Sequence, residues 1–270
     1  MKFILASSSP RRRDLFGSLG IAFTVIKPDI DEMQHPGEPP LAYVMRLSYQ
    51  KAAAVATIIL SDIATQHSAS ENVGEGIVLA ADTVVILGAD TLGVDEHGDI
   101  LGKPLDADDA RDMLRRLRGR THQVCTAITL LTPIPPTPFP RIQRKGEKDN
   151  PADAAFSPSL NLTKGNPVGA GTRMRSGGGV ITRTTCTAVT MRDYSDAEID
   201  DYIATGDPFD KAGSYAIQHP IFQPVARIDG CYSNVVGLPV CTLKNLLADI
   251  GWPGMAAVVG CDCDQSLLRA

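Results

Sequence analysis

Aromatic residues make up only 5% of this 270-residue chain, with a single tryptophan. Positive charge is not in excess either: 26 lysines and arginines face 31 aspartates and glutamates, a net of -5. A nucleic-acid polymer or an acidic membrane surface needs a basic field, and single strands also need aromatic platforms between the cations. Both are excluded as general partners, whereas a small anion needs only a local cluster of positive charge. Long apolar runs are missing too. The opening MKFILASSSPRRR has four apolar residues, Phe3 to Ala6, before a cluster of arginines, too few for a signal peptide or a membrane span. Cysteines at metal-ligand spacing are lacking: six are scattered at 125, 186, 231, 241, 261 and 263, and the close pair at 261 and 263 is too small a set for zinc. A reducing compartment, the cytoplasm, is expected.

What is present starts with that same opening. Phe3–Ala6 reads as a buried strand, Ser9 as a helix N-cap and Pro10 as the first helical residue, with Leu15, Phe16 and Leu19 inward and Gly20 at the end. Arg11, Arg12 and Arg13 then fall in the first turn, where unpaired N–H groups already carry partial positive charge. A bound phosphate is the compensation this arrangement asks for. Residues 40–60 form a helix with Leu41, Val44, Met45, Ala52, Val55 and Ile59 on its apolar side and Lys51 within it. GIVLAADTVVILG is a central strand buried on both faces, with Asp82 in its middle. Asp106 caps a helix whose stripe is Ala110, Met113, Leu114 and Leu117, and whose arginines at 111, 115, 116 and 118 form a solvated face.

A strand over 123–131 precedes an abrupt change of composition. From Thr132 to Gly179 there are eight prolines, mixed charges and a glycine run, with almost no apolar period. Such a segment reads as a flexible insertion between two strands. The expected organisation is one domain over 1–250, interrupted at 132–179, with a tail at 251–270. VITRTTCTAVTM resumes as a strand, Ser195 and Glu198 make a capping box for a short helix ending at Gly206, and DPFDKAGSYAIQ is a loop. RIDGCYSNVVGLP is expected as strand, turn and strand, and a last helix runs from Pro239 to about Ile250.

The arginine-bearing helix start, Lys51, Asp82 and Lys103 in a Gly-Lys-Pro turn together describe a cationic cleft holding one carboxylate. That suits a polyphosphate with its metal ion. The motifs LASSSPRR, IDE, R-L-S-Y-Q-K-A, AADTVV, LGKP, T-H-x-V, YIATGDPFDKAGSYAIQ and N-V-V-G-L-P, in this order, resemble those of the Maf nucleoside triphosphate pyrophosphatases. The resemblance implies an α/β fold in which a long mixed sheet lies between two lobes, with the active site in the cleft.

It also implies hydrolysis of a nucleoside triphosphate to the monophosphate and pyrophosphate with a divalent cation, magnesium or manganese, in a homodimer. Asp82 is implied as proton acceptor for the attacking water. Ser7, Arg11 and Arg12 are implied on phosphate oxygens, Lys51, Lys103 and Lys211 as charge neutralisers, and Glu32 and Asp210 with Asp82 as metal supports. Arg12, Thr83 and Gln218 stand where the branch preferring dTTP and UTP places its specificity residues, and a glutamine amide matches the imide edge of uracil or thymine. A 7-methyl-GTP pyrophosphatase and a nucleotide-binding regulator of cell division are the alternatives.

Overall fold

A computed structural model describes residues 2–65, 76–87, 99–131, 172–174 and 179–252. Its elements, in chain order, are β1 (Lys2–Ala6), α1 (Pro10–Gly17), β2 (Phe23–Val25), α2 (Pro40–Thr65), β3 (Gly76–Leu87), β4 (Asp99–Leu101), α3 (Ala107–Leu117), β5 (Thr121–Leu131), β6 (Thr172–Met174), β7 (Val180–Met191), α4 (Asp196–Ala204), β8 (Val225–Asp229), α5 (Tyr232–Val236) and α6 (Val240–Asp249). The strands form one mixed sheet in the order β2-β1-β3-β5-β7-β6, with β4 also on β3 and β8 also on β7. β1 runs parallel to β2 and β3, whereas β3, β5 and β7 pair antiparallel.

Alternation along β3 sorts its side chains between two layers. Even-numbered Val78, Ala80, Val84 and Ile86 pack under α2. Odd-numbered residues face the other side, where the helices divide into two lobes. Ile77, Leu79 and Ala81 join the core of α1, α5 and α6, with Phe16, Leu243 and Leu247. Val85 and Leu87 join the core of α3 and α4, with Leu114, Tyr194 and Ile199. Thr83 stands between the two, the one residue of β3 that is only half-buried. Each fully buried aliphatic side chain contributes about 1.5–3 kcal/mol, so both lobes are anchored to the same strand.

Local signals act where the sequence puts them. The Ser9 side chain accepts from the Arg12 N–H, Asp106 caps α3 by accepting from Asp109 N–H, and Ser195 with Glu198 closes a reciprocal box on α4. The α3 arginines are solvent-facing and also bridge to α4: Arg111 reaches Asp200 at 2.8 Å, and Arg115 and Arg118 both reach Asp196 at 2.7 Å. α1 stops at Gly17, three residues short of Gly20, which turns at φ +69°.

Two expectations need correction, and a third falls largely outside the described residues. RIDGCYSNVVGLP is β8 followed by helix α5, not two strands, because Asn234 is drawn inward to donate to Val124 O and Thr187 Oγ1, at 2.8 and 2.9 Å. These tertiary bonds override the strand preference of the two valines. The stretch 132–179 lies mostly outside the described residues, yet Thr172–Met174 within it forms β6 on the edge of β7. Cys125 and Cys186 are joined in a disulfide, because the β5–β7 register sets them directly opposite each other. The closely spaced cysteines at 261 and 263 lie outside the described residues.

Candidate active site

Strand β3 is longer than its neighbours on one edge. β5 covers one edge from Val78 to Ile86, while on the other edge β1 pairs with 76–80 and β4 with 85–87. Residues 81–84 therefore face an unpaired gap at the C-terminal end of β1, where the chain turns into α1. Open α/β sheets bind ligands at such interruptions. A cleft of about 520 Å³ occupies the gap, and its walls include Ser7, Arg12, Lys51, Asp82, Lys103 and Gln218.

On the α2 side of the gap, Lys51 projects from the helix and its ammonium lies 2.5 Å from Asp82 Oδ1 and 3.0 Å from Glu32 Oε1. Lys51 and Asp82 are each 7% exposed, so neither charge is tolerable there without the other. Partial burial works against the Glu32 carboxylate. The charge and hydrogen bond of Lys51, with Lys103 and Arg12 beyond, outweigh it and hold the Glu32 pKa below the usual carboxylate range. Glu32 is carried by the loop between β2 and α2, which α2 itself clamps. Arg46 pairs with both oxygens of Glu38 at 2.7 Å and donates to Met33 O at 2.9 Å, and Tyr43 OH donates to Glu32 O at 2.8 Å.

Across the gap, the partners of Arg12 among the described residues are neutral. Its Nε donates to Gly237 O at 2.8 Å and its Nη2 to Thr83 Oγ1 at 3.0 Å. Burial pulls the Arg12 pKa down and Asp82 pulls it back up, and the guanidinium remains charged. Gly237 has φ +123°, and a Cβ there would stand 3.6 Å from Arg12 Nε. Only glycine turns the chain there without strain. Ser7 is buried and its hydroxyl accepts from the Ser9 N–H at 3.1 Å.

The segment after α4 closes the cleft from the other lobe as two short 3₁₀ turns, Asp207–Asp210 and Ala212–Ser214. Lys211 is buried against Asp207 Oδ1 at 2.9 Å and Asp210 Oδ1 at 2.6 Å, and Arg11 lies 3.7 Å from Asp210. Gly213, at φ +71°, donates to Gly102 O at 2.9 Å, and a Cβ there would meet Val85 at 3.1 Å. That contact seats the Lys211 turn beside the turn that carries Lys103. Lys103 and Gln218 line the cleft as exposed side chains.

All the residues singled out in the sequence thus border one cleft, but they fall into separate groups. Glu32 and Asp82 converge on a single cationic point, Lys51 Nζ. Asp210 does not join them, being held by Lys211 and Arg11. Among the described residues no three His, Cys, Asp or Glu side chains gather as a ready metal site. The two converging carboxylates supply the hard oxygen donors that suit magnesium or manganese. The sequence reading missed Arg46, Glu38 and Tyr43, which hold Glu32 in place. No local spacing reveals a clamp between a loop and the helix that follows it.

The comparisons with known proteins bear on the whole of this arrangement. A family model described as Maf-like protein matches residues 2–149 and 167–250, so that within the chain 150–166 and the residues after 250 lie outside the match. A dTTP/UTP pyrophosphatase of Chromobacterium violaceum is 36% identical over 93% of this chain and 96% of its own length. One from Anaeromyxobacter dehalogenans is 37% identical over 93% and 95%, and one from Hahella chejuensis 34% identical over 93% and 92%. Since the match runs through both lobes and every wall of the cleft, the chain belongs to the Maf-like family.

Proposed function

We propose that the chain hydrolyses dTTP and UTP at the α–β phosphoanhydride, releasing the nucleoside monophosphate and pyrophosphate. The observation that carries this reading is the pairing of a carboxylate-bound Lys51 on one side of the β3 gap with Arg12, bound among the described residues only to neutral groups, on the other. The first is a site for moving a proton, and the second is a cation with charge to spare for phosphate. The relatives' shared name supports the pyrimidine substrates.

In the proposed step, a water oxygen bonds to phosphorus of the α–β linkage, the bridging P–O bond breaks, and the water's proton passes to an Asp82 oxygen. Arg12 and the Ser7 hydroxyl hold phosphate oxygens in line. Lys103 and Arg11 balance the charge of the departing pyrophosphate, while Lys211, matched by Asp207 and Asp210, holds its turn against the cleft. Such reactions are accelerated mainly by positioning and charge compensation, which is what these residues offer. Glu32 and Asp82 would hold the divalent cation, magnesium or manganese, whose chemistry when bound is to neutralise phosphate charge and acidify water. Thr83 and Gln218 read the base together with Arg12.

A homodimer completes the proposal. The described residues contain no helix long and apolar enough to cross a membrane. The test is incubation with dTTP, UTP, CTP, ATP, GTP and 7-methyl-GTP, each with magnesium or manganese, followed by chromatography of the products. Pyrophosphate with UMP or dTMP is expected. Orthophosphate, or a preference for the methylated guanine nucleotide, would overturn the reading.

A further inference from the structure

Behind Thr83 lies a chain of hydroxyl groups that takes no part in the proposed step. Thr83 Oγ1 is 2.9 Å from Thr126 Oγ1 on the neighbouring strand β5, and Thr126 Oγ1 is 3.3 Å from the backbone oxygen of Asn234 in α5. Thr126 and Asn234 are fully buried. The Asn234 amide donates to Val124 O at 2.8 Å and to Thr187 Oγ1 at 2.9 Å, which pins its carbonyl against β5. The bond from Thr126 to Asn234 O, an oxygen that also accepts from the Gly237 N–H at 3.0 Å, gives the chain its direction. A carbonyl only accepts, so Thr126 spends its single proton on Asn234 O. The bond between the two threonines must then be donated by Thr83. Thr83 also accepts from Arg12 Nη2 at 3.0 Å. Its proton and one lone pair are used, and what it can turn toward the cleft is its second lone pair.

We propose that Thr126 and the Asn234 carbonyl fix Thr83 as an acceptor, and that the cleft thereby selects a base that donates at this point. The imide N–H of uracil and thymine does so. The corresponding ring nitrogen of cytosine is an acceptor and would face another acceptor. Thr126 is thus a positioning residue that acts through Thr83. The inference rests on the reading of the cleft as a pyrimidine nucleoside triphosphate site with Thr83 at the base.

Three proteins decide it: the wild type, Thr126→Val, which keeps the shape but loses the hydroxyl, and Thr126→Ser, which restores it. The readout is kcat/KM for UTP divided by that for CTP, measured by pyrophosphate release. The wild type should favour UTP. In Thr126→Val the freed Thr83 proton can point into the cleft, and the ratio should fall by about tenfold or more, chiefly because CTP improves. Thr126→Ser should return the ratio to the wild-type value. Should Thr126→Val fold poorly by thermal denaturation, Thr126→Ala carries the same test. A ratio that stays put while both substrates decline together, or a wild type indifferent between UTP and CTP, would overturn the proposal. Failure of the functional reading itself looks different: the wild type would then release no pyrophosphate from UTP or dTTP.

Discussion

Lys51 and Arg12 face each other across one gap in the sheet and are held in opposite ways. The lysine has a carboxylate on either side, at 2.5 and 3.0 Å. The arginine has a carbonyl and a hydroxyl, at 2.8 and 3.0 Å. A cation already matched by two anions adds little net charge for a phosphate, whereas one held by neutral dipoles keeps all of its own. Two positive residues in one cleft therefore differ in role: Lys51 organises the acidic pair, and Arg12 receives the substrate. Lys211 resembles Lys51, with Asp207 and Asp210 on it.

The largest effect expected from this contrast is on stability. Lys51→Met leaves the buried Asp82 carboxylate beside Glu32 without a counter-charge, and breaking such a pair costs about 3 kcal/mol. Urea unfolding should show the loss, and added magnesium or manganese should recover part of it. An unchanged midpoint would mean the carboxylates do not depend on the lysine. Arg12→Gln should behave the other way. Its stability should fall by only about 1 kcal/mol, while KM for UTP rises by about 10- to 100-fold, the worth of a lost charge-assisted hydrogen bond. Steady-state kinetics and a thermal melt separate the two outcomes.

Arg11→Gln should be milder. Its ion pair with Asp210 is long and solvent-exposed, and a cation in a first helical turn opposes the macrodipole, so stability should stay within about 0.5 kcal/mol. The rise in melting temperature on adding nucleotide and cation should nonetheless be smaller than in the wild type. Equal rises would return Arg11 to an ordinary solvated helix face. The smallest effect concerns acid. Glu32 has a folded-state pKa below its unfolded value, so its pairing with Lys51 stabilises the fold above the ordinary value of 4.5 and is lost as pH falls through the folded value. The stability gap between wild type and Lys51→Met should therefore narrow on acidification below pH 4.5, as read from urea midpoints across pH.

How much of this was legible in the sequence depended on how local each feature is. The Ser9–Pro10 start of α1, the Asp106 cap and the box of Ser195 with Glu198 join residues at most three positions apart, and each formed as read. β3 was legible because burial on both faces needs an unbroken apolar run. α5 was not, since Asn234 is held by Val124, 110 residues away, and by Thr187, 47 away. Cys125 and Cys186, 61 residues apart, likewise meet only through strand register. The site followed the same rule. Motifs named Asp82, Lys51 and Arg12, but that Lys51 would sit between two carboxylates while Arg12 met none is a matter of where three distant segments end.

The central claim is that the acidic pair performs the chemistry while the arginine side binds, and Asp82→Asn tests it most directly. An amide keeps the shape of Asp82 but neither accepts the proton nor holds a cation as well. Calorimetric titration of the variant with UTP and magnesium, beside single-turnover assay of pyrophosphate release, gives both quantities on one protein. Turnover should fall by about 10²–10⁴-fold, the usual worth of a general base, while UTP affinity stays within about tenfold of the wild type. Pyrophosphate release at the wild-type rate, or loss of binding in step with loss of turnover, would contradict the account.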